Sequence, residues 1–392
     1  MSDKILFPTT SELNALSENV GGLVLAKYSF PAVDLDAAKK MATQIAAGQT
    51  LGFIPDDLQP YLQYIGRVAE VHLGGIRGDA TIAFPALLFG TDMAGLLTVL
   101  FGKTSFAPGL RLESIHGDSR YLSTLKGPKF GMVGIRKLVR RYRDDGSGTT
   151  GASRPLLMAI LKPGIGPSDD QLAQQFAKLV GAGTDLVKDD ETRIDLSIDS
   201  ALLRLKMVLA AGRGAGMYVT HLTGPAFELK ARAIKLQNAG AQAFLFCPYT
   251  YGISLLQSLC EDPEITVPIF AHPAFTGVMG QGPSSIAMEI VLGTLMRWAG
   301  CDGVLFPSPY GAIALPAEEA KAIHAALCRP EGSLKMSASI PSAGIMPEFV
   351  ARIRKDFGVD VVVNAGTGMA RTGGGIEDGA KAFLREIDAH YK

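Results

Sequence analysis

From residue 156 onward the chain repeats one period: an apolar run of strand length, then a stretch with helical spacing. The runs are Leu156 to Leu161, Thr184 to Val187, Met217 to His221, Ala243 to Cys247, Val267 to Ala271, Gly303 to Pro307, Lys335 to Ile340 and Val359 to Asn364. Most are apolar at consecutive positions rather than alternate ones, which suits strands covered on both faces, and the helices between them supply the cover. In the stretch Pro225 to Gly240, Ala226, Leu229, Ala233 and Leu236 share one helical stripe and Gly240 closes the end; Ser284 to Trp298 reads as another helix. Eight strand–helix units in roughly 240 residues predict a closed (β/α)8 TIM barrel, with a doubly wound open sheet as the alternative.

The first part of the chain reads differently. Strand-like segments (Gly22 to Tyr28, Val68 to Leu73, Ala80 to Phe84) mix with helix-like ones (Asp36 to Ala46, Met93 to Phe101). That mixture predicts a small α+β domain on an antiparallel sheet, of ferredoxin-like type. The run Gly146-Ser147-Gly148-Thr149-Thr150-Gly151 reads as the linker, which divides the α/β chain into residues 1–145 and 146–392.

Charge narrows the function. Lysine plus arginine and aspartate plus glutamate both number 38, so the formal net charge is zero. Nucleic-acid and membrane-surface binders need a basic excess, so neither partner is expected. Four cysteines, Cys247, Cys260, Cys301 and Cys328, are scattered with no C-x-x-C pair. They read as reduced thiols. Residues 1–5 lack a secretory pattern, and no run approaches the about 18 apolar residues of a membrane span, so the expected location is the cytoplasm.

In a barrel, chemistry collects where strands end. Strand one ends in Leu161-Lys162-Pro163-Gly164 and strand two in Lys188-Asp189-Asp190-Glu191; strand three ends in His221 and strand five in His272. Strand seven runs into Ser342-Ala343-Gly344 and strand eight into Gly366-Thr367-Gly368. A lysine among carboxylates is an oxygen-rich setting for a hard divalent cation such as magnesium, although a solvated charged turn has the same composition. Glycine turns after the last two strands suit a phosphate, although any one of them also serves as a plain tight turn.

These segments, Leu161-Lys162-Pro163 followed by Lys188-Asp189-Asp190-Glu191, resemble the large subunit of ribulose bisphosphate carboxylase (RuBisCO). Gly109 to Glu113, Lys126 to Gly131, His272 and Ser342-Ala343-Gly344 extend the resemblance over most of the chain. It implies that CO2 carbamylates Lys188 and that the carbamate, Asp190 and Glu191 hold Mg2+. It further implies phosphate contacts from Ser342, Gly344, Gly366, Thr367 and Gly368, and assistance from Lys162 and His272 at an enolate. Thr50 resembles the N-terminal-domain threonine that reaches a phosphate in the neighbouring subunit's site, which implies a homodimer or higher homo-oligomer.

The departures point away from carboxylation. Gly164 stands where carboxylases carry a second lysine, Pro273 where they carry an arginine, and Ile45 near where they carry an acid. The segment after strand six, Pro309 to Ala314, has no lysine before Lys321. Phe306 to Gly311 and Val363 to Gly366 resemble the RuBisCO-like branch that contains 2,3-diketo-5-methylthiopentyl-1-phosphate enolase. There a lysine of the N-terminal domain is the base, and Lys103 is the candidate. That branch usually carries H-G-H-P where this chain has Ala370-Arg371-Thr372-Gly373, so the substrate itself can differ. The expectation is magnesium-dependent enolisation or isomerisation of a phosphorylated ketose or diketone without CO2 fixation. The alternatives are decarboxylation of a phosphorylated 3-oxo sugar acid through the same enolate, or a non-catalytic phospho-ligand-binding homologue.

Overall fold

The computed structural model describes residues 5–142, 154–212 and 215–391. The chain divides into two compact units, and neither is continuous in sequence. The first comprises Met1–Lys126 with Thr276–Trp298 and Pro330–Leu334; the second comprises Gly127–Phe275, Ala299–Arg329 and Lys335–Lys392. Among the described residues no helix is long and apolar enough to cross a membrane.

In the first unit, β1 (Leu23–Pro31), β2 (Arg67–Gly74), β3 (Arg77–Pro85) and β4 (Arg111–Gly117) form an antiparallel sheet in the order 4-1-3-2. The helices Leu35–Gly48 and Met93–Phe101 make the two crossovers, which gives the ferredoxin-like pattern. Asp34 and Asp92 cap them, each accepting backbone N–H bonds from the first turn. A fifth strand, Ser285–Ile286, pairs in parallel with Arg111 and Leu112. This corrects the reading of Ser284 to Trp298 as one helix. Its first residues are strand, and the helix that follows contains a π turn at Ile290–Thr294. The segment is held within this unit by Trp298, whose indole packs edge-on to Tyr121 at 5.5 Å and donates to Glu331 Oε2 at 3.2 Å.

In the second unit all eight expected strands form, and each pairs in parallel with its neighbours. They are Leu156–Ile160, Leu186–Lys188, Met217–His221, Ala243–Phe246, Ile269–Ala271, Gly303–Pro307, Ala338–Ser342 and Val362–Ala365, barrel strands one to eight. A bridge from Ser339 to Val361 joins strands seven and eight and closes the ring. Leu156, Met158, Leu186, Met217, Val219, Leu245, Phe270, Leu305, Ile340 and Val362 form one buried cluster. Met132, Ile135 and Val139 belong to the same cluster, so the amphipathic helix Gly131–Tyr142 packs its apolar stripe onto the barrel core. The predicted linker Gly146–Gly151 lies outside the described residues, and the helix before it belongs with the barrel. The helix predicted at Pro225 to Gly240 is a 3-10 turn, Ala226–Glu228, leading into Leu229–Asn238; its buried stripe is Leu229, Arg232, Ala233 and Leu236, and Ala226 lies outside it.

Candidate active site

Strand periodicity builds the site. Side chains alternate along a strand, so a residue two beyond an inward one is also inward. Leu186, Val219, Leu245, Phe270, Ile340 and Val362 sit in the inner core. Two residues further on stand Lys188, His221, Cys247, His272, Ser342 and Asn364. The lower layers are apolar, and these six strands give the uppermost one its polar groups, while strands one and six place Ile160 and Pro307 there. That layer is the floor of the candidate site.

Lys188 ends strand two and is fully buried. Its Nζ donates to Asp189 O at 3.0 Å and to Glu191 Oε2 at 3.4 Å. Burial lowers the ammonium's pKa, against the opposing pull of Glu191 and then Asp190. Asp190 accepts from the backbone N–H and hydroxyl of Thr192 through Oδ1, while Oδ2 meets Lys162 Nζ. Burial alone would raise this carboxyl, but Lys162 and then Thr192 outweigh it and hold it below the ordinary range.

His272 Nδ1 accepts the Ala274 backbone N–H at 3.2 Å, which leaves the ring proton on Nε2, facing Glu191 Oε2 at 3.3 Å. Burial first and the Lys188 charge second push this imidazole down to about 3, so it is a neutral donor. Burial would raise Glu191 as well, but Lys188 chiefly holds it below its usual range. Lys162, Lys188, Asp190, Glu191 and His272 therefore form one connected cluster.

Asp189, the remaining acid of the run, faces the other way. It accepts from Tyr218 OH at 2.5 Å, Arg204 Nη2 at 3.3 Å and the His221 N–H at 3.0 Å. Arg204 also bonds both oxygens of Asp195 at 2.6 Å. Burial alone would lower that guanidinium, but Asp189 and Asp195 keep it charged above the ordinary arginine value. No motif in the sequence announces this internal network. The alternation that turns Lys188 and Asp190 one way and Asp189 the other was the available signal. His221 donates from Nδ1 to Arg193 O at 3.0 Å and rests near Cys247, in a structural setting beside the cluster.

At strands seven and eight, Ser342 Oγ donates to Ile340 O and accepts from Asn364 Nδ2, both at 2.9 Å. The following turn holds Ala343 at φ +68° and Gly344 at φ +81°, and Gly366 leads into the short helix Thr367–Arg371. The two remaining predicted residues lie in the first unit. Thr50 Oγ1 donates to Ala46 O at 2.7 Å, and Lys103 opens the 3-10 turn Lys103–Phe106 as an exposed side chain. The Lys103 stem passes Gly48: a Cβ there would lie 3.9 Å from its Cε. The Gly48–Thr50 turn and Lys103 are thus neighbours. Ile45 is buried in the same unit's core.

Comparison with known proteins gives a consistent result. No family model matches the chain. It is 37% identical over 384 residues to the 2,3-diketo-5-methylthiopentyl-1-phosphate enolase of Bacillus licheniformis, covering 93% of this chain and 92% of that protein. The RuBisCO-like protein (MtnW) of Alicyclobacillus acidocaldarius superposes with a TM-score of 0.84 at 34% identity over 94% of both chains. The octameric RuBisCO of Pyrococcus horikoshii does so with a TM-score of 0.83 at 26% identity, covering 94% of this chain and 89% of that one.

Proposed function

Since the chain belongs to the RuBisCO-like protein family and is an enolase-type enzyme, we propose that it enolises a phosphorylated ketose or diketone with magnesium and without fixing CO2. The observation that carries this reading is the convergence of Lys188, Asp190, Glu191, Lys162 and His272 on one barrel mouth.

The donor set fits magnesium once Lys188 is carbamylated. Asp189 is turned away to Arg204 and Tyr218, which leaves Asp190 and Glu191 as the carboxylates at the mouth, and a carbamate on Lys188 would add a third oxygen donor beside them. Only a neutral amine attacks CO2, and the burial that lowers the Lys188 pKa favours that form. The new N–C bond and the loss of a proton turn the amine into an anionic oxygen donor. Carbamate, Asp190 and Glu191 would then hold the ion, whose chemistry when bound is to polarise a ketone and acidify the adjacent C–H.

The chain's own groups do the rest. Lys162 faces the mouth beside Asp190 and supplies a cation for developing enolate charge, and neutral His272 donates a hydrogen bond without adding charge. We assign phosphate to the backbone of Ser342–Gly344 and Gly366–Gly368. We assign the proton-abstracting base to Lys103 and a phosphate contact to Thr50, both supplied by a second copy in a homodimer.

Gly164 argues against carboxylation. It stands where carboxylases carry their second lysine, and a Cβ there would lie 2.5 Å from Asp190 Cγ, so the position admits no side chain in this arrangement. The deciding experiment is proton NMR in D2O on phosphorylated ketoses and diketones, with and without magnesium and bicarbonate. Deuterium is expected beside the carbonyl only when both are present. Exchange that ignores magnesium, or none with any compound, would overturn the reading.

A further inference from the structure

The phosphate turn after strand seven leans on the loop after strand six, and one side chain of that loop ties it to the helical segment beyond strand seven. The contact is backbone on backbone. A Cβ at Gly311 would lie 1.5 Å from Ala343 O, and one at Gly344 would lie 2.9 Å from Ala312 N. Ser308 N–H donates to Ser342 O at 2.9 Å just before the two loops meet. The turn needs such support, because Ala343 is an alanine with φ +68°, a conformation that L-residues hold only when their surroundings enforce it.

Tyr310 precedes Gly311 and anchors it. Its hydroxyl donates to the carboxylate of Asp356 and lies 3.4 Å from Arg352 O. Its ring packs against Phe349 at 5.9 Å and Phe357 at 6.5 Å. All four partners belong to the helical segment Pro347–Phe357. Asp356 also lies 3.9 Å from Lys321, so removing the tyrosine hydroxyl leaves that carboxylate with a cation.

We infer that Tyr310, through its bond to Asp356, is a positioning residue that presses Gly311 against Ala343 and sets the shape of the phosphate turn. The inference rests on the phosphate assignment above. Freed of its anchor, the loop recoils and Ala343-Gly344 relaxes towards ordinary backbone, so anion affinity falls while the proton-transfer groups stay in place.

The test compares the full-length enzyme with Tyr310→Phe, Asp356→Leu and Asp356→Asn. The readouts are KM, kcat, competitive inhibition by inorganic phosphate, and hydrogen exchange at residues 311–312 and 343–345. Tyr310→Phe and Asp356→Leu each lose the charge-assisted bond and are expected to raise KM and the phosphate inhibition constant about tenfold, with kcat within about twofold. Asp356→Asn keeps an acceptor and is expected to stay near the parent. Exchange is expected to speed up in both loops of the two impaired variants, with unchanged melting temperatures. Unaltered phosphate inhibition and exchange in Tyr310→Phe would overturn the inference, as would a fall in kcat at constant KM. If phosphate fails to compete even in the parent enzyme, the phosphate assignment itself falls and this inference with it.

Discussion

Replacing Gly164 by alanine tests the site with a single methyl group. Its Cβ would start 2.5 Å from both Asp190 Cγ and Oδ1, where ordinary contact begins near 3.4 Å, so the carboxylate must retreat by about 0.9 Å. Asp190 cannot do so freely: Thr192 holds Oδ1 from two sides and Lys162 engages Oδ2. Overpacking of this kind costs about 1–3 kcal/mol of stability. Misplacing a reacting or ligating group by about 1 Å costs on the order of 100-fold in rate, or about 2.7 kcal/mol of activation free energy. We therefore expect kcat/KM for enolisation to fall about 100-fold, with magnesium dependence shifted to higher concentration and the fold retained. The assay is deuterium exchange against a magnesium titration, alongside calorimetric unfolding. Gly181→Ala is the control, since nothing lies within 4 Å of a Cβ there. Parent-like activity and magnesium response in Gly164→Ala would refute the assignment of Asp190 as a ligand.

Three further outcomes follow from the same geometry. Arg204→Met strands the buried carboxylates of Asp189 and Asp195 and should cost about 3–5 kcal/mol in urea unfolding; Arg204→Lys should recover little, because an ammonium cannot grip Asp195 with a fork. Thr192→Val removes the hydroxyl bond to Asp190 Oδ1 while keeping the branched shape. It should weaken magnesium activation about tenfold, with Thr192→Ser restoring it; equal activation in all three proteins would speak against it. His272, held down to about 3, should stay neutral in ring NMR at pH 5. Because its folded pKa is depressed, the unfolded chain takes up the proton first. Its contribution to stability is complete above about pH 6.5 and is lost as pH falls towards 3, and a ring titrating near 6.5 would refute the burial argument.

The barrel was legible because its signal is local and repeated eight times. Each strand is apolar over several residues, and the polar residue two beyond an inward one, such as Lys188 after Leu186, marks both the strand end and the site. What escaped depends on partners distant in sequence. Ser285–Ile286 is too short for any periodicity, and only the exposed edge of β4 makes it a strand. Three acids in a row look equivalent until Arg204 and Tyr218, from a helix and a neighbouring strand, claim Asp189 and leave Asp190 and Glu191 to the mouth. Tyr310 carries no signal of its own, because Asp356 lies 46 residues away.

The returning strand at Ser285–Ile286 also has a consequence for how the protein is made. The ribosome delivers β4 about 170 residues before the strand that covers its edge, an interval of roughly 8–34 s at ordinary elongation rates. During that time the nascent sheet presents an open edge, the kind of template on which chains join one another. Expression of residues 1–126 alone should therefore give a product prone to self-association. Co-expressing the 276–298 segment as a separate peptide should suppress it.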